Sequence, residues 1–237
     1  MFQYIKLNKN FILTIFIFVF IFIICIILFK NKKNKTIIKN TPNSQNLLSI
    51  TNDSYKVYQI DNLLQSSECD ALRSYADAQN YMDSTVITPT GNVYIDNRKS
   101  KQLWIKDAEH DMAKKISSYI ENYIGYPKEN MEDLQLVKYD ISGFFNDHYD
   151  PDISHENNTS DRIYTVIIYL NDDFEGGETY FKNINLTIKP KKGMGVIFKS
   201  LSENNELLSN SLHTGKPILK GNKYICNKWI HIDKFKE

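Results

Sequence analysis

Nineteen consecutive residues without a charge, Phe11 to Phe29 (FILTIFIFVFIFIICIILF), constrain this chain more than any other feature. As a helix they would span about 28 Å, close to the roughly 30 Å of a bilayer's hydrocarbon layer. A buried core helix rarely lacks polar residues on every side. A cleaved signal peptide would have a shorter apolar core and a small-x-small cleavage site after it. This run ends instead in Lys30-Asn-Lys-Lys-Asn-Lys. The sequence therefore predicts a short tail over 1–10 and a single transmembrane anchor over 11–29, with everything else outside the bilayer.

Beyond the anchor the chain divides by composition. Residues 30–54 are rich in lysine and asparagine, contain Pro42 and have few apolar positions, as a solvated linker should. The folded domain is expected over 55–237. Charge divides at the same place. The chain carries a net +1, and residues 1 to 40 hold seven lysines and no acid, so subtracting those seven leaves the remainder at −6. A domain of that sign is poorly suited to grip a phosphate backbone, and nucleic acid is not an expected partner. Cys25 lies in the apolar run, leaving Cys69 and Cys226, too few and too far apart for a zinc motif or a disulfide framework. A single bridge and two free buried thiols both remain open.

Along the domain, Tyr55 to Ile60 alternates like a short strand. Ser67, three residues before Asp70, has the pattern of a helix N-terminus, and Cys69, Leu72, Tyr75 and Ala76 follow at helical spacing. A second helix is expected from about Asp107, with Met112, Ile116, Tyr119, Ile120, Tyr123 and Ile124 on one stripe and Gly125 and Pro127 as its stop. Short β-rich runs then succeed one another: 134–141, 144–149, 162–170, 178–181, 185–189, 195–199 and 223–232. Turn signals separate most of them, including Gly176-Gly177 and Lys192-Gly193. Two helices followed by many short strands predict a mainly β fold with flanking helices, of the sandwich or jelly-roll kind.

Residues i and i+2 of a strand project to one face, so His148-Tyr149-Asp150 would point an imidazole and a carboxylate into one cavity. A third ligand from a distant strand would complete a face of two histidines and one carboxylate, the arrangement of non-haem iron(II) oxygenases. Taken alone, His-x-Asp is weak in a chain with five histidines and 28 acids. His213 and Lys223 strengthen it. Lys223 opens an alternating strand that would carry its ammonium inward with Ile225 and Asn227, where a fixed cation suits the far carboxylate of a dicarboxylic acid. A solvated lysine at a strand end is the commoner case for such a residue taken singly. His110 and His155 belong to no such set and read as surface residues.

The segment Tyr139-Asp-Ile-Ser-Gly-Phe-Phe-Asn-Asp-His148-Tyr-Asp150 resembles the metal-binding segment of prolyl 4-hydroxylases. The resemblance continues in Arg162-Ile-Tyr-Thr-Val-Ile-Ile-Tyr-Leu-Asn171, Gly176-Gly-Glu-Thr-Tyr-Phe181, Ile188 to Phe198 and the run from His213 to Trp229. It covers about 55–237 in order and includes Ile60-Asp-Asn-Leu-Leu-Gln-Ser-Ser-Glu-Cys-Asp70. It implies a double-stranded β-helix in which His148, Asp150 and His213 hold Fe(II) and Lys223 pairs with the 5-carboxylate of 2-oxoglutarate. Tyr139 and Thr179 would add hydroxyls to the cosubstrate, and Trp229 would wall its pocket. Tyr139 and Trp229 would serve equally as core aromatics. Arg162 and His231 match positions facing the peptide, though Arg162 also has acids nearby to pair with. The family often reads Tyr-Glu-Pro before the first ligand histidine, where this chain has Phe145-Asn146-Asp147, so peptide preference is open.

By the same resemblance the chain hydroxylates peptidyl proline at C4, with 2-oxoglutarate and O2 consumed, succinate and CO2 released, and L-ascorbate rescuing over-oxidised iron. No obligatory partner subunit is expected of a short, single-domain member. Two other readings stand beside it: a sibling dioxygenase acting on another protein residue or small molecule, and a non-catalytic, membrane-tethered binding module. Orientation is contested. Lys6 and Lys9 precede the anchor and Lys30, Lys32, Lys33, Lys35 and Lys39 come after it, which read strictly keeps the domain cytosolic. The resemblance points to the lumen of the endoplasmic reticulum or another secretory membrane, and that is the expectation adopted.

Overall fold

A computed structural model describes residues 47–51, 54–88, 91–93, 97–151 and 162–235. The tail, the anchor over 11–29 and most of the linker, like His155, lie outside the described residues. Among the described residues no helix is long and apolar enough to cross a membrane.

The strands in chain order are β1 Leu48–Ser49, β2 Val57–Ile60, β3 Met82–Asp83, β4 Val86–Thr88, β5 Gly91–Val93, β6 Arg98–Lys99, β7 Lys101–Ile105, β8 Leu134–Tyr139 and β9 Phe144–His148. They continue as β10 Arg162–Tyr169, β11 Glu175–Gly176, β12 Thr179–Phe181, β13 Leu186–Ile188, β14 Gly195–Lys199, β15 His213–Gly215, β16 Ile218–Lys220 and β17 Lys223–His231. Two α-helices, α1 Ser66–Asp77 and α2 Asp111–Ile124, precede the main run of strands. An eight-stranded antiparallel sheet has the order β1-β2-β14-β10-β17-β8-β7-β3, and a five-stranded sheet has the order β13-β12-β15-β9-β6. The fold is mainly β, of the jelly-roll kind.

Two hydrophobic layers explain this arrangement. In β10, Val166 and Ile168 pack with the helices' Leu72, Ile116 and Ile120, while Ile167 and Tyr169 pack with Phe181 and Ile188 of the smaller sheet. β17 divides in the same way: Cys226 and Ile230 face the helices and Ile225 faces the smaller sheet. Central strands covered on both faces are largely apolar, which is why 163–170 is broken only by Thr165. The polar exceptions on their inner faces belong to the site.

Local corrections have local causes. The first helix is capped at Gln65, not Ser67: Glu68 accepts the Gln65 backbone N–H at 2.8 Å, a capping box two residues earlier than expected. The second helix begins at Asp111, not Asp107. Asp107 is held by Lys228 and by the Ser117 hydroxyl, and the His110 side chain caps the helix by accepting the Met112 N–H at 3.2 Å. His110 also meets Tyr75 edge to face at 4.6 Å, so it is not a plain surface residue. Cys69 and Cys226 are free and buried, and burial pushes both thiols up, Cys69 to about 11.

Candidate metal centre

Period-two alternation places the polar residues of three neighbouring strands on one face. Lys223 pairs with Tyr139, Ile225 with Val137 and Asn227 with Gln135. On the other flank Tyr169 pairs with Ile225, Ile167 with Asn227 and Thr165 with Trp229. The alternate residues alone point inward, so Tyr139, Lys223, Asn227, Trp229 and Thr165 line one cavity together with Thr179 of the facing sheet. A wider groove of about 350 Å³ lies beside Tyr58 and Tyr164 and contains no cluster of metal-ligating side chains among the described residues.

At the mouth of the cavity His148, Asp150 and His213 each offer a ligand atom, all within 4.8 Å of one another. His148 ends β9 and pairs directly with His213, which opens β15. Asp150 does not share a strand with His148, because β9 has ended; it reaches the cavity from the bend just after that strand. There its Oδ2 accepts the Thr165 hydroxyl at 2.6 Å and its backbone carbonyl accepts Arg162 Nη1 at 3.2 Å. The carboxylate lies 3.9 Å from Nε2 of each histidine.

The other ring nitrogens fix the histidines' protons. Nδ1 of His148 is 2.7 Å from the Asn146 carbonyl, and Nδ1 of His213 is 3.0 Å from the Ser211 carbonyl. A carbonyl can only accept, so each Nδ1 carries the hydrogen and each Nε2 lone pair faces the cavity. This is the tautomer a metal needs. Phe145 stacks on His148 at 3.4 Å between ring centroids, while Phe198 and Phe181 flank His213 at 4.9 and 5.6 Å. Burial, then the neighbouring His213, lowers the His148 pKa to about 3. Burial pushes the Asp150 carboxyl up, but the two histidines, the Thr165 hydroxyl and Arg162 together bring it below its ordinary value. Two imidazoles with their Nε2 atoms turned to the cavity and one carboxylate on a single face suit a divalent iron with positions left for further ligands.

Deeper in the cavity Lys223 is 3% exposed and donates to the Gly177 carbonyl at 2.6 Å. Burial lowers its pKa to about 7, opposed by Glu178. The Tyr139 and Tyr169 rings lie 5.4 and 5.5 Å from its Nζ, and Tyr169 donates its hydroxyl hydrogen to Thr179 Oγ1 at 2.8 Å. The indole N–H of Trp229 and Nη2 of Arg98 line the same cavity, buried without a partner among the described residues. Buried donors left in this way call for an acceptor. With the Lys223 ammonium they fit a small dicarboxylate.

Arg162 and His231 meet on one acid. Glu132 Oε2 accepts Arg162 Nη2 at 2.8 Å, its Oε1 takes Arg162 Nε, and His231 Nε2 lies 2.9 Å from Oε1. The guanidinium also covers the Trp229 ring at 4.0 Å. Sequence reasoning assigned no role to Glu132, Arg98, Phe145, Thr165 or Tyr169. Thr165 and Tyr169 could have been found, because they sit at even spacing on a strand already identified. Arg98 and Glu132 carry no such signal, since a two-residue strand and a loop deliver them.

Comparisons with known proteins agree on one family. The family model of the 2OG-Fe(II) oxygenase superfamily matches residues 134–231. A candidate prolyl 4-hydroxylase of Acanthamoeba polyphaga mimivirus is 35% identical over 188 residues, covering 76% of each chain. The human prolyl 4-hydroxylase subunit alpha-1 is 28% identical over 187 residues, 76% of this chain but only 35% of that subunit, so this chain spans about a third of the animal subunit. Among solved structures, the viral collagen prolyl hydroxylase of Paramecium bursaria Chlorella virus-1, in its 2OG complex, is similar with a TM-score of 0.63 and 30% identity. That match covers 76% of this chain and 98% of the other.

Proposed function

This chain belongs to the prolyl 4-hydroxylase family of 2OG-Fe(II) oxygenases, and from that premise we propose that it hydroxylates peptidyl proline at C4, releasing succinate and CO2. It is a 2-oxoglutarate-dependent dioxygenase, and its family uses Fe(II), 2-oxoglutarate and O2. The observation that carries the reading is the convergence of His148, Asp150 and His213 at the mouth of a cavity with an ammonium, Lys223, buried within it.

His148, Asp150 and His213 are the proposed iron ligands. With 2-oxoglutarate and O2 bound, iron supplies the oxidising power needed to hydroxylate an unactivated C–H bond. The protein's part is to hold each group in place. The Asn146 and Ser211 carbonyls keep both Nε2 lone pairs aimed at the metal, and Thr165 fixes the carboxylate. Lys223 would bind the 5-carboxylate of 2-oxoglutarate, with Tyr139 and Thr179 supplying hydroxyls and Trp229 closing one wall. Arg162 and His231, aligned by Glu132, would meet the peptide. Ascorbate is assigned only the rescue of over-oxidised iron. The proposal includes no obligatory partner subunit; the proposed ligands and the cosubstrate pocket all come from this one chain.

The proposed cellular setting, which rests on the family resemblance, is the endoplasmic reticulum or another secretory membrane, with residues 11–29 as anchor and the domain in the lumen. Expression of the full chain in a eukaryotic cell tests this. An endoglycosidase-sensitive mass shift supports it, whereas digestion of the domain by protease outside intact microsomes contradicts it. The activity itself is tested by incubating the full chain with Fe(II), 2-oxoglutarate and O2, with and without proline-rich peptides. Hydroxyproline formed in step with succinate supports the proposal. Succinate formed with another acceptor, but never with a prolyl peptide, would instead identify a sibling dioxygenase.

A further inference from the structure

The strand β9 is irregular immediately before its metal-facing histidine. His148 pairs with His213, but Phe145 pairs with Gly215, so Asn146 and Asp147 together stand opposite the single residue Thr214. This is a β-bulge, a device that re-aims a side chain at the cost of a locally weakened ladder. The re-aimed side chain is His148, because the bulge supplies the Asn146 carbonyl that holds its Nδ1 at 2.7 Å. If the bulge shifts, the imidazole shifts with it.

Asp147 ties the bulge down from outside. One carboxylate oxygen accepts the Thr214 hydroxyl of β15, and the other accepts Lys182 Nζ at 2.6 Å. Lys182 directly follows Phe181, which pairs with His213, and its backbone N–H donates to the Leu212 carbonyl at 3.3 Å. A single carboxylate therefore joins three consecutive segments of the smaller sheet at the level of both ligand histidines. Where the family often has proline, φ would be fixed by the ring itself and no side-chain bond would form. Asp147 provides a bonded restraint in its place.

We propose that Asp147, with Thr214 and Lys182, is an external clamp that holds the bulge and so positions His148 for the metal. The proposal rests on the reading of His148, Asp150 and His213 as a metal centre. It makes Asp147 a positioning residue, acting through His148. The carboxylate is 39% exposed and the Lys182 side chain 57%, so the pair contributes little to global stability. Effects on metal binding and on folding should then separate.

The test is titration of the full chain in detergent with Co(II), an air-stable stand-in for Fe(II), read by visible absorption. Asp147→Ala should weaken Co(II) binding about tenfold, the lower end of what outer-sphere partners of a ligand contribute. The thermal midpoint of the metal-free chain should not move. Thr214→Val should weaken binding in the same direction, and the double variant should be no worse than Asp147→Ala, because both changes open one clamp. Co(II) affinity in Asp147→Ala within about twofold of wild type would overturn the proposal, as would full additivity in the double variant. Failure of the wild-type chain to bind Co(II) would overturn the metal centre itself, and the clamp with it.

Discussion

Lys223 is held in the cavity at a cost that depends on pH. Its unfolded value is 10.5 and its folded value about 7, because burial strips water from the ammonium. Between those values the unfolded chain binds the extra proton, so stability rises with pH through this window and the penalty is fullest below about pH 7. Binding of 2-oxoglutarate should run the other way, since a carboxylate partner needs the charged lysine. The KM for 2-oxoglutarate should rise above about pH 7, approaching tenfold per pH unit, and Lys223→Ala should lose that slope. Lys223→Ala should itself raise this KM on the order of 10² to 10³, from the roughly 3 to 5 kcal/mol lost when one partner of a buried ion pair is removed. Steady-state kinetics across pH check both, and a KM unchanged from wild type contradicts the assignment. The inward place of Lys223 was legible only in part from the strand that it opens, since a strand-end lysine is more often solvated, and its role came from the family resemblance. Glu132 was not legible. What makes it part of the site is the meeting of Arg162 and His231 on its carboxylate, contacts that cross 30 and 99 positions of sequence. Removing it strands Arg162 and His231, so Glu132→Ala should cost about 3 to 5 kcal/mol in urea unfolding.

At the scale of elements, the helices were legible in existence and not in their starts. Hydrophobic spacing marks Ile116, Ile120 and Ile124 as the buried line of α2, but no sequence pattern shows that Asp107 is already committed elsewhere. Lys228, wholly buried in β17, donates to both Asp107 oxygens at 2.7 and 2.6 Å and thereby ties the turn before α2 to the strand behind the site. Asp107→Ala should cost about 3 to 5 kcal/mol, whereas Asp107→Ala with Lys228→Met should recover much of it, because a buried ion pair can be replaced by apolar packing. Equal destabilisation of single and double variants in urea would show that the pair has no such role. The segment from 82 to 105 was not legible as strands. Its strands are two to five residues long, and β7 carries Lys101 and Gln102 on its way into the large sheet. Short polar strands have no period to detect, and β7 is defined by its pairing with β8.

For the whole molecule, the succession of short β-rich runs after two helices was enough to show a mainly β fold of the jelly-roll kind, but not which strands make the large sheet and which the small one. How the two sheets face each other was not visible, because closure depends on contacts that no local pattern marks, such as the Phe198 ring of the large sheet against His213 of the small one. Ligand linkage across that closure gives a global readout. Co(II) at about 100 times its dissociation constant should add about 2.7 kcal/mol and raise the thermal midpoint by roughly 5 to 10 °C. Asp150→Ala should show no such rise. The most direct measurement of the central claim is iron-dependent succinate release by the full chain on a proline-rich peptide, compared among wild type, His148→Ala, Asp150→Ala and His213→Ala. The account predicts peptide-stimulated turnover in wild type and none in any of the three, each variant still folded by circular dichroism. Near-wild-type succinate production by any one of them would contradict it.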